Sequence, residues 1–285
     1  MLNYKQIKGL IALLRPELPL AAGICVIMGE IIAIGNIPST RELFLGFIWG
    51  FFLSGSAMIL NDYFDIEVDK INAPQRPLPS GLISSKAVIV FTTIITVIGL
   101  VASFFINRLA VLLYIIFWII GFLYNWKFKE KGLVGNLFVS LSVSITIVLG
   151  SIVVDNPLNK GVLIFSIMLF LFNLGEEIAA DAMDIAGDKK RNIKSIAILI
   201  GRKKALYISF SLFIIFILLS FLPVILGLFG ISYFIIITLT DILILFWGLN
   251  LIRSQTIKKG KMYIRRLYLS GIFGIFLIII SMIIV

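Results

Sequence analysis

The chain has 285 residues, of which 60% are apolar and 14% charged, and its mean hydropathy is +1.10. A soluble domain is about 45–50% apolar and about 25% charged. These figures exclude a disordered chain, a coiled coil and an ordinary soluble enzyme, and they indicate an integral membrane protein. There is no His and one Cys, Cys25, inside an apolar stretch. That removes His-based triads, His-ligated haem, zincin sites and internal disulfides. The excess of 25 Lys and Arg over 15 Asp and Glu would suggest nucleic acid in a soluble protein. In a membrane protein, cytoplasmic loops collect the same residues.

Nine apolar segments follow in chain order, each long enough to cross a bilayer as a helix. The first, 17–36, is preceded by Lys5, Lys8 and Arg15 as a signal peptide would be, but no small-residue cleavage site follows it, so it reads as a retained helix. The second, 43–60, leads into Asn61-Asp62-Tyr63-Phe64-Asp65-Ile66-Glu67-Val68-Asp69. Segments 87–106 and 109–125 come next, the latter followed by Lys127 and Lys129. The fifth, 133–154, carries Asn136 near its start. The sixth, 161–180, leads into Asp181-Ala182-Met183-Asp184-Ile185-Ala186-Gly187-Asp188. Pro223 is expected to kink the seventh, 205–229. The eighth, 231–252, holds Asp241 in mid-helix, which requires a partner. The ninth is 266–285. Continuous apolarity favours helices over barrel strands, which alternate. Gly50, Gly55 and Gly121 fit helix-packing positions.

The charges test this division. With the N-terminus on one side, that side collects 22 Lys and Arg, and the other keeps only Arg41, Arg108 and Lys160. So uneven a split predicts a single nine-helix domain spanning residues 1–285, with the N-terminus in the cytoplasm.

The acidic residues are the informative ones. Asp62, Asp65 and Asp69 stand at i, i+3 and i+7, and so do Asp181, Asp184 and Asp188. On a continuous helix each triplet falls within about 60° of arc. The clusters end the second and sixth helices, which hints at a duplicated four-helix unit. Like charges on one face repel, and a helix C-terminus is the wrong dipole end for anions. A cation should compensate, and hard carboxylate oxygens suit Mg²⁺, which binds through a few carboxylates and phosphate oxygens of a substrate. Two such clusters read as a clamp for a Mg²⁺-bridged diphosphate. The plainer reading is solvated loop charge balanced by lysines. A cation transporter is another reading, although its carboxylates normally lie near the midplane.

Asn61-Asp62-x-x-Asp65-x-x-x-Asp69, continued by Asn72-Ala73-Pro74-Gln75-Arg76-Pro77-Leu78-Pro79-Ser80-Gly81, resembles the first aspartate-rich motif of the UbiA family of intramembrane prenyltransferases. Asp181 to Asp188 resembles the second motif. Within the family, Glu177-Ile178-x-x-Asp181-x-x-Asp184-x-x-Gly187-Asp188-Lys189 is most similar to the geranylgeranylglycerol-phosphate geranylgeranyltransferases of archaeal ether-lipid synthesis, and quinone-type aromatic prenyltransferases share parts of it. One position departs: residue 176 is Glu where many members carry Arg.

The resemblance implies an all-α, UbiA-like bundle of nine transmembrane helices with its active site on the cytoplasmic side of the cell membrane. It implies a geranylgeranyl (polyprenyl) diphosphate donor, Mg²⁺, a lipid acceptor such as geranylgeranylglyceryl phosphate, and no nucleic acid. Asn61, Asp65 and Asp69 are then assigned to one metal-diphosphate site, with Asp62 contributing directly or through water. Asp181, Asp184 and Asp188 hold a second metal or orient the acceptor. Arg76, Arg15 and either Lys127 or Lys129 are expected on the diphosphate, with Lys189 a weaker candidate beside the second motif. The aromatic residues are expected to line the prenyl tunnel and face an allylic cation.

Overall fold

The computed structural model describes residues 3–190 and 193–284. Arg191, one of the basic loop residues, lies outside the described residues, as do the side chains of Asn72 and Lys190. Among the described residues there is no strand. In chain order the helices are α1 (Tyr4–Leu14), α2 (Glu17–Ile34), α3 (Thr40–Phe64), α4 (Ile66–Asn72), α5 (Ser85–Ile106), α6 (Arg108–Leu123), α7 (Leu133–Val153) and α8 (Lys160–Met183). They continue with α9 (Ile185–Lys190), α10 (Ile196–Ile200), α11 (Arg202–Ser220), α12 (Leu222–Ile225), α13 (Ile231–Ile252) and α14 (Ile257–Ile284). A π-helical turn over Tyr124–Phe128 extends α6.

Nine described helical spans are long and apolar enough to cross a membrane, matching the nine expected segments. Two ends differ instructively. The ninth span begins at Ile257, not at 266, so Lys258, Lys259, Lys261, Arg265 and Arg266 lie on the helix and not in a loop. Hydropathy detects only the lipid-embedded part of a helix, while long basic side chains reach back to water from turns outside it. The seventh span is broken outright. Helix α11 stops at Ser220, and Pro223 sits in the first turn of the short α12, where a missing N–H costs nothing.

The described residues form two compact units. The first comprises Met1–Glu30, Pro38–Lys127 and Thr146–Pro157. Here α1 is opened by a reciprocal cap: the Asn3 side chain accepts from the Gln6 N–H at 2.9 Å, and Gln6 accepts from the Asn3 N–H at 3.0 Å. The face bearing Leu10, Leu13 and Leu14 packs against Ile59, Leu78 and Ile83. A second core joins Val26, Trp49, Tyr114 and Leu149. Helices α2 and α7 cross at backbone contact, because a Cβ on Gly29 would lie 1.9 Å from the Ile147 carbonyl oxygen and one on Gly150 2.0 Å from that of Val26. Gly50 and Gly55 are packing positions as expected: a Cβ would meet a side-chain methyl of Val26 or Leu14 at 2.7 Å, which would have to shift. Gly121 is not so constrained, its nearest neighbour being Ala57 Cβ at 3.8 Å.

The second unit comprises Ile31–Ile37, Phe128–Ile145 and Leu158–Val285. Helices α8 and α11 pack through Gly175 against Phe213, and the Ser209 hydroxyl donates to the Gly175 carbonyl at 2.7 Å. Asp241 has the partner it requires: the Ser220 hydroxyl donates to its Oδ2 at 2.7 Å, and Tyr233 donates to the Ser220 carbonyl at 2.8 Å. This arrangement is a structural clasp where α11 ends.

Candidate active site

Both aspartate clusters sit at a helix break, and in both the break falls on the middle aspartate. Asp65 separates α3 from α4 with φ −89° and ψ 2°, and Asp184 separates α8 from α9 with φ −126° and ψ 25°. The triplets therefore do not occupy one uninterrupted helix face, as their spacing alone suggests. Asp65 and Asp184 each join a long membrane helix to a short one instead. The breaks differ in tightness. The Asp65 N–H still reaches Asn61, four residues back, at 3.0 Å, whereas the Asp184 N–H reaches Asp181, three residues back, at 3.0 Å. Repulsion along a shared face and an unfavourable dipole end both favour ending the helix at these points.

In the first unit the triplet has its own cations. Asp62 and Asp69 are buried, at 4% and 6% exposure. Arg15 pairs with Asp62 across 47 residues of sequence. Arg76 donates from Nη1 to Asp69 Oδ2 at 2.6 Å and lies 3.7 Å from Asp62 Oδ1. The hydrogen bond to Asp69 raises the Arg76 pKa above its ordinary value, and the charges of Asp69, Asp62 and Asp65 add to it against the effect of burial. All three aspartates thus act on one guanidinium.

Local structure explains how the two arginines arrive. Arg15 closes α1 in the left-handed region, at φ 47° and ψ 63°, a conformation that costs a non-glycine residue about 1–3 kcal/mol. The buried Leu13 and Leu14 just before it anchor the helix. Arg76 sits in the Pro-rich turn, where its N–H bonds the Ala73 carbonyl and its own carbonyl accepts from Ser80, each at 3.0 Å. Leu78, 3% exposed, ties that turn into the core.

Asn61 is held by a residue that the motif did not single out. Its Nδ2 donates to Asn125 Oδ1 at 3.0 Å. Asn125 lies in the π-helical turn, is 3% exposed, and donates to the carbonyls of Gly121 at 3.0 Å and Ala57 at 3.2 Å. The only sequence signal was an amide directly after Tyr124 in an otherwise aromatic and basic helix end.

In the second unit Asp181 is half-buried and accepts from Asn136 Nδ2 at 2.8 Å. Asp188 is buried, and Asp184 is exposed with its carboxylate folded against Gly187, where a Cβ would approach Oδ1 to 2.5 Å. Asn173, Glu177 and Asp181 continue the polar side of α8 at i, i+4 and i+8, a ladder readable from spacing. Glu176, the departing position, is buried, and its Oε1 has no hydrogen-bond partner. Among the lysines, Lys127 and Lys189 are exposed, while Lys129 is half-buried and engaged.

The donor sets fit a hard divalent cation. They offer carboxylate and amide oxygens without sulfur or imidazole, the chemistry of Mg²⁺ rather than of a soft metal. Among the described residues no three acidic, His or Cys side chains form a ready-made cage. That accords with an ion that takes one or two carboxylates and completes its shell with phosphate oxygens and water.

The UbiA prenyltransferase family pattern matches residues 22–281. The digeranylgeranylglyceryl phosphate synthase of Thermococcus kodakarensis is 36% identical over 250 residues, covering 88% of this chain and 89% of that protein. The enzyme of the same name from Pyrococcus furiosus is 36% identical over 257 residues, covering 90% and 91%. A solved structure described as a digeranylgeranylglyceryl phosphate synthase in membranes superposes with a TM-score of 0.84 at 31% identity, covering 98% and 99% of the two chains. A UbiA homologue from Archaeoglobus fulgidus, solved with GPP and Mg²⁺, shares the fold with a TM-score of 0.73 at 18% identity, covering 99% and 100%. The chain belongs to the UbiA prenyltransferase family. It is a multi-pass membrane enzyme that transfers an alkyl group.

Proposed function

We propose that the protein transfers a geranylgeranyl group from its diphosphate to the free hydroxyl of geranylgeranylglyceryl phosphate, making the second ether bond of an archaeal-type membrane lipid. The observation that carries this reading is the convergence of Asp62 and Asp69 on the guanidinium of Arg76. Such a cluster is suited to hold an anion and its counter-ions together. Relatives that share about a third of the sequence over nine-tenths of the chain bear the synthase name, which supports this acceptor over an aromatic one.

The donor's allylic C1–O bond breaks with the electron pair leaving on diphosphate, and the acceptor hydroxyl oxygen bonds to C1. Its proton goes to a cluster carboxylate or to the released diphosphate. No strong base is needed once positive charge develops at C1, which suits a chain without His. Asn61, Asp65 and Asp69, with Asp62 directly or through water, would supply the one or two protein ligands of one Mg²⁺, and Asp181, Asp184 and Asp188 would do so for a second hard cation or orient the acceptor. The chemistry such an ion would supply is Lewis-acid neutralisation of the leaving group. Arg15 and Arg76 bind the diphosphate and offset the charge it gains as it departs, an electrostatic contribution that grows toward the transition state. The asymmetry of Lys and Arg supports a site on the cytoplasmic face of the cell membrane.

The test is transfer of radiolabelled geranylgeranyl diphosphate by purified protein with Mg²⁺ and each acceptor in turn. Label should enter the glycerol phosphate lipid. Incorporation only into an aromatic acid would assign the quinone-type reaction. Absence of any transfer together with ion flux in liposomes would assign transport.

A further inference from the structure

Asn61 is the one candidate ligand whose donor atom depends on which way an amide is turned. A carboxylate presents oxygen on both arms, but an amide presents one oxygen and one NH₂. Turned the wrong way, Asn61 would aim two N–H bonds at a cation. The structure contains a chain of hydrogen bonds that decides the matter. The backbone carbonyls of Ala57 and Gly121 are acceptors only, so the Asn125 arm that reaches both must be its NH₂. Oδ1 of Asn125 is therefore the arm that meets Asn61, and the Asn61 arm that meets it, at 3.0 Å, must be the NH₂. Oδ1 of Asn61 is left on the opposite arm.

We infer that Asn125 is a positioning residue that locks the amide of Asn61 with its oxygen available to a divalent cation. It acts by orientation and contributes no ligand. The inference rests on Asn61 being a ligand of the site proposed above. Three features make the lock rigid. Asn125 is buried, so water does not compete for its amide. Its anchors are main-chain atoms of α3 and α6, which do not rotate. It also stands in a π-helical turn, a local widening that recurs at functional sites and here lets the side chain reach back to the Gly121 carbonyl.

The experiment is Mn²⁺ binding to the full-length protein in detergent, followed by electron paramagnetic resonance in the presence of inorganic pyrophosphate. It reads metal affinity whether or not the variant turns over. Asn125→Ala should weaken Mn²⁺ binding about tenfold, the low end of what outer-shell partners of metal ligands contribute. Asn125→Leu, which keeps the branched shape and removes both hydrogen-bonding arms, should do the same while retaining the thermal midpoint more closely. Asn61→Ala should weaken binding at least as much, and adding Asn125→Ala to it should cost nothing more. A purely structural asparagine would give additive effects instead, which would overturn the inference. Wild-type Mn²⁺ affinity in the folded Asn125 variants would overturn it as well. Wild-type affinity in Asn61→Ala would remove the ligand assignment itself, a distinct failure.

Discussion

Arg76 and Asp69, seven residues apart across a proline-rich turn, meet at 2.6 Å between Nη1 and Oδ2. The same guanidinium atom lies 3.7 Å from Asp62, so one arginine ties Asp69 on α4 back to Asp62 in the last turn of α3. The turn can bring it there because Leu78 is buried against Leu10, Leu13 and Ile83. With substrate bound, a planar fork of this kind can exchange carboxylate for phosphate oxygens while keeping its charge.

Arg76→Ala should raise the KM for the diphosphate donor strongly, with a smaller change for the lipid acceptor. Arg76→Lys should recover little, because an ammonium cannot span two acceptors as a guanidinium does. Steady-state kinetics against each substrate distinguish these outcomes. Equal effects on both substrates would argue for a general structural role.

Asp65→Ala and Asp188→Ala should each reduce transfer by about 100-fold or more, the scale on which single electrostatic groups act in a transition state. Expression and thermal midpoint should be retained. Chelation should abolish wild-type transfer, and added Mg²⁺ should restore it. Retained activity in either variant would defeat the assignment of that aspartate.

The clasp at the end of α11 gives a contrasting outcome. Ser220→Ala removes the hydroxyl that donates to Asp241 at 2.7 Å and should lower stability by about 1 kcal/mol. The dependence of transfer on Mg²⁺ and on donor should not change. Thermal unfolding in detergent and kinetics on the same sample check both halves.

Gly29→Leu should prevent stable folding, since even a Cβ would approach the Ile147 carbonyl oxygen to 1.9 Å. Backbone cannot yield as a flexible side chain does, and the cost should reach about 3 kcal/mol or more. Gly121→Ala, whose Cβ would find its nearest neighbour at 3.8 Å, should be tolerated. Yield of monodisperse protein compares them.

Orientation in the membrane is accessible to labelling. In a Cys25→Ala background, Arg108→Cys should react in intact cells with a membrane-impermeant maleimide. Lys259→Cys should react only after permeabilisation. Both positions are exposed, so the reverse pattern would invert the orientation.

Much of this was legible in the residue order. The nine spans follow from hydropathy, which is local and additive, and the aspartate clusters stand out because a chain with 14% charge has few places to hide them. Asp241 was recognisable as a polar residue needing a partner. Its partner Ser220 lies 21 residues away, and Asn136 reaches Asp181 across 45 residues; nothing in a spacing rule selects either pair. The helix breaks at Asp65 and Asp184 were not legible either. A triplet at i, i+3 and i+7 describes a continuous face equally well, and the choice depends on local repulsion weighed against packing.

The sequence by itself determined that this is a membrane protein with aspartate clusters at the ends of its second and sixth spans, because solvent transfer and charge are properties of residue types. Only the tertiary structure decided which cation meets which carboxylate. Arg15 and Asp62, 47 residues apart, meet because α1 docks on α3 and the chain then turns through a left-handed residue. The orientation of the Asn61 amide was decided there too. It depends on two fixed carbonyls, those of Ala57 and Gly121, and backbone positions of that kind exist only once the helices have packed.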